Sequence, residues 1–127
     1  MRMLRYLAVA SALVALCVAP AMAADTIKVG AILAVTGPAS FLGAPEAKTL
    51  EMLTEELNAK GGVGGKKIEL IIKDSGASPE KAISFAKQLI EEEKVFAIIG
   101  PSTSGETMAI KNLAEESKTL LDRKSVV

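Results

Sequence analysis

The stretch from Ser78 to Gly100, SPEKAISFAKQLIEEEKVFAIIG, changes its hydrophobic period half-way along, and that change sets the fold class. Ser78 suits a helix N-cap, Pro79 the first helical position and Glu80 the positive end of the helix dipole. Ala82, Phe85, Ala86, Leu89 and Ile90 then fall at i, i+3, i+4, i+7 and i+8, one buried stripe of a helix. Glu91-Glu92-Glu93 sits where the dipole disfavours acids and is read as solvated surface. Val95-Phe96-Ala97-Ile98-Ile99 follows as an unbroken apolar run, the pattern of a strand covered on both faces.

The same alternation extends both ways. Upstream, Ile27 to Ala34 and Lys67 to Lys73 read as strands. Between them Pro45 to Lys60 reads as a helix, with Leu50, Leu53 and Leu57 inward and Glu46, Lys48, Glu51, Glu55 and Glu56 outward; Gly61-Gly62 ends it. Downstream, Glu106 to Ser117 reads as a third helix with Ile110, Leu113 and Ala114 facing inward. A β-α-β-α-β-α order with short connections predicts an α/β three-layer sandwich about a parallel sheet.

Composition removes most other readings. The 127-residue chain has no His and one Cys, so a His-based triad, a Cys–His dyad and a Cys/His zinc cluster are excluded. Fifteen basic residues balance fifteen acidic ones, which leaves no basic footprint for a nucleic acid. Residues 1–23 carry Arg2 and Arg5, an apolar run from Tyr6 to Val18, then Pro20-Ala21-Met22-Ala23, the build of a cleavable secretory signal. That run is too short for a stable membrane span, which needs about 20 apolar residues. Cleavage after Ala23 leaves a mature domain at 24–127, destined for export and without a thiol, since Cys17 departs with the signal. Gly61-Gly62-Val63-Gly64-Gly65-Lys66-Lys67 is not a phosphate loop, because Lys60 and Lys67 stand where Gly and Ser or Thr are required. No cofactor or metal is expected, and the chain is not read as an enzyme.

In open parallel sheets ligands bind beyond the carboxyl ends of strands, at the point where strand order reverses. With the common 2-1-3 order that point lies between the first and third strands. The loops leaving them are Val35 to Gly43 and Gly100 to Gly105, the two segments richest in Gly, Pro and small hydroxyls. In the second, Ser102, Thr103 and Ser104 precede a helix, whose free N–H groups and dipole suit an anion such as a carboxylate. The hydroxyls are read two ways, as helix caps and as ligand contacts; three exceed what one cap requires. Asp74, after the second strand, is read as a loop or cap residue and not as a catalytic base.

Thr36-Gly37-Pro38 with Gly43, Leu57-Asn58-Ala59-Lys60-Gly61-Gly62-Val63, Gly65-Lys66-Lys67-Ile68 and Ile99-Gly100-Pro101-Ser102-Thr103-Ser104-Gly105 together resemble the branched-chain amino-acid-binding proteins. Those are type I periplasmic substrate-binding proteins of ABC importers, and the resemblance covers about residues 26–117. It implies a small-molecule ligand, an amino acid or similar carboxylate, and an ABC permease as partner. It implies that Ser104 binds the ligand carboxylate, that Ser102 and Thr103 line the same pocket, and that Leu42, before Gly43, forms an apolar wall where relatives often carry an aromatic.

Such proteins have two lobes, and the resemblance makes this chain an incomplete first lobe. After Ser117 the family supplies a fourth strand, whereas here Asp122-Arg123-Lys124 puts three charges in its place. The expectation is a truncated or frame-disrupted product with a three-stranded sheet and very weak ligand binding. A sensing domain of a receptor or regulator with the same fold is the alternative function, and a flavodoxin-like enzyme a third, disfavoured by the missing phosphate loop.

Overall fold

The structure is a computed structural model and describes residues 25–123; the expected signal at 1–23 lies outside them. Four strands, β1 (Thr26–Leu33), β2 (Lys67–Asp74), β3 (Ala97–Ile99) and β4 (Leu120–Asp122), form one sheet in the order β2-β1-β3-β4, and every pair is parallel. Three helices connect them: α1 (Ser40–Ala59), α2 (Pro79–Lys87, closing in a wider π-type turn over Gln88–Glu92) and α3 (Ser104–Glu116).

The two-residue period of a strand divides the core into two. Ile32, Ile71 and Ile98 point to one face, against Ala82, Ala86 and Leu89 of the α2 region and Ile110 of α3. Ala31, Leu33, Leu70, Ile72 and Ile99 point to the other, against Ala47 and Leu50 of α1. Helix, sheet and helix therefore make the three layers that the alternating periods predict. The stripe read from Ala82 to Ile90 is the one that packs, and Ser78 caps α2 by accepting from the Lys81 N–H at 3.3 Å.

Several local readings change. α1 begins at Ser40, not Pro45, and Pro45 lies inside it. The proline leaves one helical carbonyl without its donor, that of Phe41, but Phe41 is 74% exposed and water can serve it. Gly43 lets the extra turn pack closely: a Cβ there would lie 2.3 Å from the Ala34 backbone, so α1 touches the end of β1 directly. Its buried positions are Gly43 and Ala47, with Leu50 partly covered, while Leu53 and Leu57 are exposed. Further along, the contact passes to Asn58, whose side chain donates to the Ile68 carbonyl and accepts from the Ile68 N–H.

A fourth strand is present where a charged run had predicted none. Leu120-Leu121-Asp122 pairs with Ala97-Ile98-Ile99 through the backbone, and Leu121 packs on the core. Backbone pairing is indifferent to the side chain of Asp122, which points to solvent. Nor is Glu93 merely solvated. It receives a hydrogen bond from the Lys28 ammonium at 2.9 Å, fastening the end of the second helical segment to β1. That bond holds Lys28 above, and Glu93 below, its ordinary pKa. β3 is shorter than predicted; Phe96 still gives its N–H to the Lys28 carbonyl of β1, but its ring is exposed.

Candidate functional site

β1 and β3 are neighbours in the sheet, yet the helices that follow them pack on opposite faces. Their connecting loops must part at the carboxyl ends, the place where ligands bind in open parallel sheets. Gly100 brings the second loop against β1: it adopts φ 96°, and a Cβ would stand 2.4 Å from the Ile32 carbonyl oxygen.

The three hydroxyls of that loop have different partners. Ser102 Oγ accepts from the Ala34 N–H at 3.1 Å and donates to Glu46 Oε2 at 2.6 Å. Thr103 is the N-cap of α3; its Oγ1 accepts from the Glu106 N–H at 3.5 Å and donates to Glu106 Oε2 at 2.5 Å. Ser104 Oγ accepts from Arg123 Nη2 at 2.9 Å. A hydroxyl has one proton to give. Those of Ser102 and Thr103 are spent on carboxylates, whereas that of Ser104 has no acceptor among the described residues. The backbone N–H groups of Ser104 and Gly105 likewise carry no hydrogen bond among the described residues. Three donors thus remain at the positive end of α3, a set that suits a carboxylate.

Leu42 lies in the first turns of α1, 37% exposed, and not in a loop as the sequence suggested. It precedes Glu46 by one helical turn, which places both on the same side of α1, the side that Ser102 reaches. The structure places Leu42 on α1, one turn before the Glu46 that Ser102 meets, and Ser102, Thr103 and Ser104 at the start of α3, and it gives the three hydroxyls different partners. At the neighbouring loop, the Asp74 carboxylate accepts from Thr36 Oγ1 at 2.7 Å and from the N–H groups of Thr36 and Gly76, each at 3.1 Å. These bonds, the Thr36 hydroxyl first, hold its carboxyl below the usual range and tie the loops after β1 and β2 together. Asp74 is structural, as its position implied.

Glu46, Glu106 and Arg123 escaped sequence reasoning. The Thr-x-x-Glu spacing at 103–106 is a capping signature that binds the Thr103 side chain to its own helix. No comparable signal marks Glu46, which is 56 positions from Ser102. A depression of about 460 Å³ flanks α3 and β4, lined by Lys111, Ala114, Leu120 and Leu121 among others; it holds none of the site hydroxyls.

The family described as periplasmic binding protein matches residues 26–121. The chain belongs to that family. It is 38% identical over 107 residues to Leu/Ile/Val-binding protein homolog 7 of Brucella suis, covering 84% of this chain and 27% of that protein. It is 31% identical over 100 residues to the leucine-, isoleucine-, valine-, threonine-, and alanine-binding protein of Pseudomonas aeruginosa, covering 79% and 26%. Among solved structures it superposes on the branched-chain amino acid transporter substrate binding protein LivJ of Streptococcus pneumoniae in complex with isoleucine. That match has a TM-score of 0.75 and 35% identity, covering 77% of this chain and 28% of the other. The chain thus spans about a quarter of the length of these relatives. All three are named as binding proteins. No helix of the described residues is long and apolar enough to cross a membrane.

Proposed function

We propose that this chain serves an ABC importer as substrate-binding component and takes a branched-chain or other hydrophobic amino acid. In this reading residues 24–127 are part of the N-terminal lobe of a periplasmic ligand-binding domain, exported by the signal at 1–23. The ligand carboxylate meets the Ser104 hydroxyl and the N–H groups of Ser104 and Gly105, and Leu42 supplies apolar wall on the α1 side. Ser102 and Thr103 line the crevice but keep their protons for Glu46 and Glu106. The permease of the importer is the protein partner.

One observation carries the reading. The donors left unspent by the fold sit where β1 and β3 part, in a chain 35% identical to a protein solved with isoleucine. Pockets that hold small ligands tightly enclose about 70–90% of their surface. The described residues offer one side only, so binding is expected to be weak. Calorimetry with leucine, isoleucine and valine should show no micromolar affinity. Amide NMR with millimolar isoleucine should shift Leu42, Ser104 and Gly105 first. Micromolar affinity refutes the one-sided site, and shifts centred away from these three amides refute its location.

A further inference from the structure

We infer that Glu46 is a positioning residue: it sets the place of the ligand loop by holding Ser102, and so couples α1 to that loop. The inference rests on the amino-acid site proposed above. The chain of bonds runs from the Ala34 N–H to Ser102 Oγ at 3.1 Å and from the Ser102 hydroxyl to Glu46 Oε2 at 2.6 Å. Ser102 therefore has its donor and one lone pair engaged inside the protein, between the end of β1 and α1. Its bond to Glu46 is charge-assisted and short, the stronger kind. Both segments proposed to touch ligand are tied through it: Leu42 lies one turn before Glu46, and Ser104 two residues after Ser102.

The geometry has a directional consequence. Without an acceptor at Glu46, the Ser102 side chain is free to change rotamer, which carries its Oγ away from the Ala34 N–H. The loop between Gly100 and Thr103 then drifts relative to α1, although the Thr103–Glu106 cap keeps α3 itself intact. Loss should appear at the loop before it appears in global stability, because Glu46 is exposed and fills no core.

Glu46→Ala, Glu46→Gln and Ser102→Ala test this. The expected result is about tenfold faster hydrogen exchange at the Ala34 amide in Glu46→Ala and Ser102→Ala, with core amides such as Ile98 unchanged. Glu46→Gln, whose side-chain carbonyl still accepts from the Ser102 hydroxyl, should restore protection. In an isoleucine titration the initial slope of the Ser104 amide shift should fall about tenfold in Glu46→Ala and recover in Glu46→Gln. Unchanged Ala34 exchange in Glu46→Ala overturns the inference, as does failure of the glutamine to rescue. An isoleucine response that is absent in the unsubstituted chain counts against the amino-acid reading alone, and the exchange pattern then still decides the role of Glu46.

Discussion

Gly43→Ala sets two effects of opposite sign against each other. In a helix interior alanine is favoured over glycine by about 1 kcal/mol. Gly43 sits inside α1 at an ordinary helical φ, so propensity alone predicts a more stable protein. Packing predicts the reverse. The added methyl would lie 2.3 Å from both the carbonyl carbon and oxygen of Ala34 and 2.7 Å from its nitrogen, against an ordinary contact of about 3.5–4.0 Å. These are backbone atoms at the end of a central strand, and the Ala34 N–H is already engaged by Ser102. They cannot swing aside as a side-chain tip would. Overpacking of this kind costs about 1–3 kcal/mol and sometimes more, and here the upper end applies. The net expectation is a loss of about 2 kcal/mol, seen as a fall of about 10 °C in Tm. Urea unfolding followed by circular dichroism measures it, with Gly105→Ala in α3 as the control. Nothing lies within 4 Å of a Cβ at Gly105, and its φ is not positive, so that variant should hold or gain up to about 1 kcal/mol. If Gly43→Ala gains stability as Gly105→Ala does, α1 does not rest on the Ala34 backbone, and the placement of Leu42 and Glu46 falls with it.

Two further outcomes concern hydrogen bonds away from the crevice. The Asp74 carboxyl is held below its unfolded pKa of about 3.9, so its stabilisation is fully present above that value and is lost as pH falls through the lower folded pKa. Asp74→Asn should therefore cost about 1 kcal/mol at pH 7, allowing for a half-exposed group, and the gap should close in acid. A gap that stays constant in urea titrations down to about pH 2 contradicts the assignment. Ser78→Ala removes the cap of α2 and should cost about 1 kcal/mol; no change in the unfolding midpoint would show that the Lys81 N–H finds another acceptor.

The start and face of α2 were legible because every local signal agreed: cap, proline, dipole and stripe lie within thirteen residues, and the structure uses each of them; its closing π-type turn and the Glu93–Lys28 bond were not. α1 was legible as a helix but not in its face or its start. Its buried positions are a glycine and an alanine, which carry no hydrophobic signal, whereas its leucines at 53 and 57 carry a strong one and stay exposed. Close approach to the sheet, not apolar bulk, chooses that face. β4 was missed for a related reason. A three-residue strand draws its order from backbone pairing with β3, and charges after it mask so short an apolar pair.

The site divides along the same line. The sequence marks where hydroxyls stand, because loop, strand end and helix start are local matters. It does not mark which of their protons are spent, since the acceptors arrive from elsewhere in the chain: Glu46 meets Ser102 across 56 positions, and Ala34 meets it across 68. Only the Thr103–Glu106 pair is local enough to read in advance. Accounting for protons then changes the chemistry of the loop. Three adjacent hydroxyls look interchangeable as ligand donors, but a ligand oxygen arriving at Ser102 or Thr103 must displace a carboxylate, while at Ser104 it displaces nothing within the described residues. The proposal of Ser104 as the ligand's hydroxyl donor rests on that difference.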